Sequence, residues 1–138
     1  MPVHLEHIEK PSEQDWIDLG KIYADAPQEW LSNPSDHQQS LQVLLDEGSW
    51  LIAGRFNSRL LGAMKASKEN SVITLQHFCV RNVTKGRGVA HQMLHHINRW
   101  ADAEGYTLVA LEVPEELANS LISREFELID NKFIRNPR

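Results

Sequence analysis

The chain of 138 residues holds one cysteine, Cys79. A single thiol excludes an internal disulfide, leaves the fold to its apolar core, and fits a reducing compartment. No run approaches the ~18 apolar residues a membrane span needs. The first ten residues, MPVHLEHIEK, lack an apolar signal core, so the cytoplasm is the expected address. Positive charge is also short: 14 Lys and Arg stand against 19 Asp and Glu. That balance argues against nucleic acid or an anionic membrane as the partner. No repeat or low-complexity linker divides the sequence, and one domain over 1–138 is expected. Two phosphate-binding patterns are missing as well. Without G-x-x-x-x-G-K-[ST], ATP or GTP hydrolysis is not expected, and no third glycine follows Gly88 to complete G-x-G-x-x-G.

What is present is a strand, a basic turn and a helix over residues 71–100: SVITLQHFCV, RNVTKGRGVA, HQMLHHINRW. Gly86 and Gly88 allow backbone angles that a Cβ would forbid. The turn opens directly into a helix, whose first N–H groups lack intrahelical partners and lie at the positive end of the macrodipole. Lys85, Arg87 and Arg81 add full charges. A pyrophosphate fits such a place. The run Lys85-Gly86-Arg87-Gly88-Val89-Ala90 resembles the coenzyme A signature of the GNAT acetyltransferase superfamily, [RQ]-x-x-G-x-[GA], with Lys85 standing where the pattern has Arg or Gln. The plainer reading is an ordinary strand-to-helix turn with basic residues for solubility.

Taken in order, residues 3–8 alternate as a strand, and Pro11 ends it. Ser12 with Asp15 predicts a capping box and a helix to about residue 26, buried through Trp16, Leu19, Ile22 and Tyr23. Ser35 with Gln38 predicts a second box, and Leu41, Leu44 and Leu45 the inward face of a short helix closed at Gly48. Between them, Trp30 and Leu31 are expected as a lid or plug. Residues 50–56 and 59–66 read as strands around Asn57-Ser58, a tight hairpin. Residues 72–80 make the strand that reaches the glycine turn. The helix over 88–104 buries Val89, Met93, Ile97 and Trp100 or Ala101 and stops at Gly105. Residues 106–113 read as a buried strand. Pro114 opens a helix carrying Leu117, Ala118, Leu121 and Ile122. Residues 126–129 and 133–134, around Asp130-Asn131, close a hairpin. The order β-α-α-β-β-β-α-β-α-β-β is the GNAT order. It implies an α/β (α+β) fold with a mixed central sheet flanked by helices.

Three stretches, DWIDLGKIY at 15–23, RFNSRLL at 55–61 and VRNVTKGRGVA at 80–90, resemble a narrower group, the PanM/PanZ family. That family consists of acetyl-CoA-binding maturation and regulatory factors of aspartate 1-decarboxylase, PanD. The resemblance implies binding of acetyl-CoA or coenzyme A. It also implies binding of the decarboxylase proenzyme, promotion of its self-cleavage, and a link between coenzyme A supply and pantothenate synthesis. It assigns the main chain of Phe78, Cys79 and Val80 to the acetyl and pantetheine arm. Thr84, Lys85, Gly86, Arg87, Gly88, Val89, Ala90 and His91 fall to the pyrophosphate, and Arg55 and Asn57 to partner contact. Residues 26–48 are longer than in the short form of the family, and little specific resemblance extends past Val113.

The alternative is a GNAT N-acetyltransferase acting on a small-molecule or protein amine. That chemistry needs a base, a polarised thioester carbonyl and an acid for the leaving thiolate. Many GNAT enzymes place a tyrosine five residues before a Gly-Phe pair; here Leu121 stands at the tyrosine position and Glu125 replaces the glycine before Phe126. The usual acid is therefore absent. Glu112 is a weak catalytic candidate at the expected splay of the two central strands, or else a solvated strand-end carboxylate. His77 is a second candidate base, offset by one from Phe78 and so expected on the other sheet face, or else a hydrogen-bonded strand histidine. HQMLH at 91–95 imitates H-E-x-x-H with Gln92 in place of the base, and a solvated helix face explains it better than zinc. Cys79 reads as a small buried hydrophobe.

Overall fold

Local signals set the elements. In the computed structural model, which describes residues 2–24, 26, 37–81, 84 and 87–138, strand β1 spans His4–Ile8. Ser12 then caps helix α1, Glu13–Tyr23, with the reciprocal Asp15 bond to the cap backbone, as the capping box predicts. Helix α2 covers His37–Asp46. The expected cap at Ser35 and plug at Trp30 and Leu31 lie outside the described residues. Strands β2, Trp50–Phe56, and β3, Arg59–Glu69, meet at Asn57 and Ser58, both at positive φ, the conformation a two-residue hairpin needs. Strand β4 runs Val72–Val80. Helix α3, Val89–Glu104, is bracketed by Gly88 and Gly105, both left-handed. Strand β5, Thr107–Ala110, helix α4, Glu115–Ser123, and strands β6, Glu127–Ile129, and β7, Lys132–Arg135, complete the chain.

The strands form one seven-stranded sheet in the order β1-β2-β3-β4-β5-β7-β6. β4 and β5 run parallel, joined through α3, whereas the other described pairings are antiparallel. Two cores follow from the two faces. Helices α1 and α2 cover Leu51, Ala53, Leu60, Ala63 and Cys79 with Leu19, Ile22, Tyr23 and Leu41. Helices α3 and α4 cover Ile52, Met64, Ile73, Leu75 and Phe78 with Met93, Leu94, Ile97 and Leu121. Helix α3 lies close on the sheet because Gly54 and Gly62 carry no Cβ. One built at Gly62 would sit 2.7 Å from Met93 Sδ and 3.2 Å from the Cys79 carbonyl oxygen.

An aromatic stack closes the α3 face away from the end of β4. The Trp50 and Trp100 rings meet edge-on at 6.1 Å, Trp100 meets Tyr106 at 5.3 Å, and Lys68 Nζ sits over Tyr106. Such tilted geometries satisfy the ring quadrupoles. Among the described residues no helix is long and apolar enough to cross a membrane.

Three expectations change. Strand β5 is shorter than 106–113 because the chain turns away after Ala110, and Glu112 takes φ 52°. Ile122 is 53% exposed rather than core-facing, since α4 buries Leu117 and Leu121. Helix α1 ends at Tyr23, three residues early.

Candidate functional site

The parallel pair β4–β5 is in register only from Val72↔Thr107 to Leu75↔Ala110. Its last bond runs from the Leu111 N–H to the Leu75 carbonyl, 2.9 Å. Beyond it β4 continues for five residues while β5 leaves. On its other side β4 stays paired with β3, through Ala63↔Cys79 and Gly62↔Val80, and the Arg81 N–H donates to the Leu61 carbonyl at 2.8 Å.

Backbone groups alternate sides along a strand. Leu75 turns its carbonyl toward β5. Arg81, and Cys79 two residues before it, turn their N–H groups toward β3. The N–H groups of Phe78 and Val80 therefore face the open edge. The parity changes between Leu75 and Phe78 because one extra residue is inserted there: the β3–β4 register slips between Ala63 and Lys65, and His77 takes φ 56°. This is a β-bulge, a device that re-aims a strand. The bulge places Phe78 in the α3–α4 core with Leu75 and Cys79 in the α1–α2 core. Phe78 thus turns main chain to the open edge while its side chain is buried, and the Cys79 main chain is taken up by its pairing with Ala63.

Tyr23, reaching across from α1, donates its hydroxyl to the His77 carbonyl at 2.9 Å. Burial, with Cys79 adding to it, pushes that hydroxyl well above its ordinary pKa of 10.0, so it stays a protonated donor. Burial also lowers the His77 imidazole, against the opposing pull of Glu112, and favours the neutral ring. Glu112 sits on the opposite lip, exposed, and accepts from Gln76 Nε2 at 3.1 Å.

The glycine turn leads from this edge into α3. Thr84 is buried, and its hydroxyl donates to the Arg81 carbonyl at 2.7 Å. The Arg87 N–H donates to the Thr84 carbonyl at 3.1 Å, and the Arg87 side chain is exposed. Lys85 and Gly86 lie outside the described residues. Gly88 takes φ 79° with no atom within 4 Å of a built Cβ, so glycine is required by conformation rather than space. Among the described residues no side chain caps α3, and its first turn holds no acid. A cleft of about 520 Å³ opens here, lined by Val80, Thr84, Gly88, Val89, Ala90 and His91. Its far wall is Glu116, Leu117 and Ser120 of α4. Sequence reading missed these three; the spacing of Glu116 and Ser120, one helical turn apart beside buried Leu117, was the available signal. In HQMLH, Gln92 Oε1 accepts the Val3 N–H at 2.7 Å, so this glutamine tacks the helix to the chain before β1.

Arg55 and Asn57 lie at the β2–β3 hairpin. Arg59 is three residues before Gly62, the partner of Val80, so the tip stands roughly 10 Å along the sheet from the open edge. Asn57 is exposed there. Arg55 is not free: Nε and Nη2 bond Glu6 at 2.6 and 3.3 Å. Nη1 and Nη2 bond Asp15 at 3.1 and 3.3 Å, and Nη1 bonds the Ser58 carbonyl at 3.2 Å. A guanidinium has five N–H donors, and all are committed. Sequence reading placed Arg55 at the β2–β3 hairpin but could not see the carboxylates that hold it.

A mixed sheet splayed at one parallel pair, with a bulged strand feeding a helix that no described side chain caps, defines a GNAT fold. An acetyltransferase from Thermus thermophilus is similar in fold, with a TM-score of 0.74 at 17% identity, covering 99% of this chain and 97% of that one. The chain belongs to the family described as acetyltransferase (GNAT) domain, PanZ, which matches residues 2–123. It is 35% identical over 99 residues to the PanD regulatory factor of Escherichia coli (strain K12), 72% of this chain and 68% of that protein. The solution NMR structure of YhhK from E. coli, bound to coenzyme A, is similar with a TM-score of 0.71 and 25% identity over 99% of both chains.

Proposed function

We propose that this chain is an acetyl-CoA-binding regulatory factor that, when loaded, binds the aspartate 1-decarboxylase (PanD) proenzyme in the cytoplasm. It acts as one domain, promoting maturation of that proenzyme and tuning pantothenate and coenzyme A synthesis. The observation that carries this reading is the placement of the open β4 edge, the start of α3 and the exposed hairpin tip at one end of the sheet. The cofactor fits what is there. Main-chain groups of Phe78 and Val80 receive the acetyl and pantetheine arm as a short added strand, and Cys79 fixes their frame through its pairing with Ala63. Backbone N–H groups from Gly88 through His91, with Thr84, Lys85, Gly86 and Arg87, surround the pyrophosphate. Once bound, acetyl-CoA supplies a thioester and a pyrophosphate charge. Asn57 touches the partner, while Arg55 holds the tip in shape.

Calorimetric titration of acetyl-CoA, and then of the proenzyme with and without it, tests this. Acetyl-CoA-dependent association with the proenzyme is the expected result. Linkage requires the proenzyme to tighten acetyl-CoA by the same factor. Binding of acetyl-CoA with no association under either condition would overturn the partner. The remaining reading would then be an N-acetyltransferase with Glu112 or His77 as its candidate base.

A further inference from the structure

We propose that Tyr23 is a positioning residue: its hydroxyl, by holding the His77 carbonyl, sets the bulge that turns the Phe78 and Val80 N–H groups to the open edge. The inference rests on the reading of that edge as the acyl-arm site, and goes beyond it by naming what keeps the edge in frame.

Three observations converge. The bond is long-range in sequence, from α1 to the middle of β4, at 2.9 Å, and the tyrosine is 4% exposed. It lands on the one inserted residue of β4, whose φ of 56° is strained for a histidine. And the inserted residue decides which amides face the cleft. Were the strand regular, His77 and Cys79 would face it and Phe78 and Val80 would pair with β3. A strained bulge persists only where its surroundings hold it. α1 supplies that hold from the face opposite α3, so the residue that shapes the acyl-arm edge need never touch the ligand.

The test is Y23F with two ligands: acetyl-CoA, and 3′-phospho-ADP, the nucleotide half without the arm. Loss of one buried hydrogen bond to the strand predicts acetyl-CoA binding weakened about tenfold, with 3′-phospho-ADP binding unchanged. H77G allows the same φ without a Cβ clash. Y23F/H77G is therefore expected to recover acetyl-CoA affinity to within about twofold of wild type, and it carries the test if Y23F alone fails to fold. Equal weakening of both ligands in Y23F would make the tyrosine merely structural and overturn the proposal. So would unchanged acetyl-CoA affinity, or a double variant that folds but still binds acetyl-CoA about tenfold more weakly than wild type. Wild-type protein that binds neither ligand would overturn the site reading and this proposal together. Wild-type binding with an indifferent Y23F overturns Tyr23 alone.

Discussion

Asp18 carries more of the fold than its position in a helix suggests. It is fully buried and accepts from Arg59 Nη2 at 2.6 Å, the Leu60 N–H at 3.0 Å and Gln14 at 3.0 Å. These bonds fasten α1 to the start of β3. Removing the carboxylate leaves a buried N–H unpaired, so D18A is expected to lose about 2–3 kcal/mol, read by urea unfolding. Acid sensitivity follows from the same kind of group. Burial opposes ionisation of Asp18, but the bonds from Arg59, Leu60 and Gln14 outweigh it and lower its pKa. Asp102 is held at about 2, first by the Arg135 hydrogen bonds and then by the Arg138 N–H. Folded values below the unfolded ~3.9 mean stability present above that pH and lost as pH falls toward 2. His77, lowered by burial, adds a loss that begins below about 6.5. D102N is expected to melt below wild type at pH 7, with the gap closing between pH 4 and pH 2. An unchanging gap across that range would refute the assignment.

Among the elements, α3 depends on the absence of two side chains beneath it. G62A is expected to cost about 1–3 kcal/mol. Met93 Sδ can swing away, but the Cys79 carbonyl, part of the β4 ladder at the cleft, cannot. Thermal melting of G62A against wild type checks this. Contacts of that kind mark the boundary of what sequence reading could reach. Element order was legible because each boundary carries its own chemistry: Ser12 with Asp15, Asn57-Ser58, Gly88, Gly105, Asp130-Asn131. The turn into α3 was legible because Gly88 stands where the chain needs a left-handed residue, and it takes φ 79° there. The bulge was not: SVITLQHFCV has no glycine or proline to mark the inserted residue, and what sustains it comes from Tyr23, 54 residues earlier. The α4 wall and the five bonds of Arg55 were hidden for the same reason, being set by tertiary packing rather than local pattern.

At the scale of the molecule, the sheet has two arms, β1–β4 and β5–β7, joined at one short parallel seam. The hairpin tip belongs to the first arm, and its two named residues should separate experimentally. N57A is expected to abolish association with the proenzyme while leaving acetyl-CoA affinity and melting temperature within error. R55A is expected to lower both association and stability, because Glu6, buried Asp15 and the Ser58 carbonyl all lose their donor. R55K recovers little, since an ammonium has three donors and no planar fork. If R55A melts like wild type and only association falls, Arg55 contacts the partner directly.

The stack of Trp50, Trp100 and Tyr106 gives the protein a built-in optical gauge. Rings at 5.3–6.1 Å and crossed by 65–67° couple their excited states. Tyr106 is expected to hand its excitation to Trp100, and the two indoles to share a circular-dichroism band in the near ultraviolet. Trp100 lies eleven residues along α3 from Val89, about 16 Å from the cleft end of that helix. Light absorbed there is expected to report whether β2, α3 and the start of β5 are still assembled.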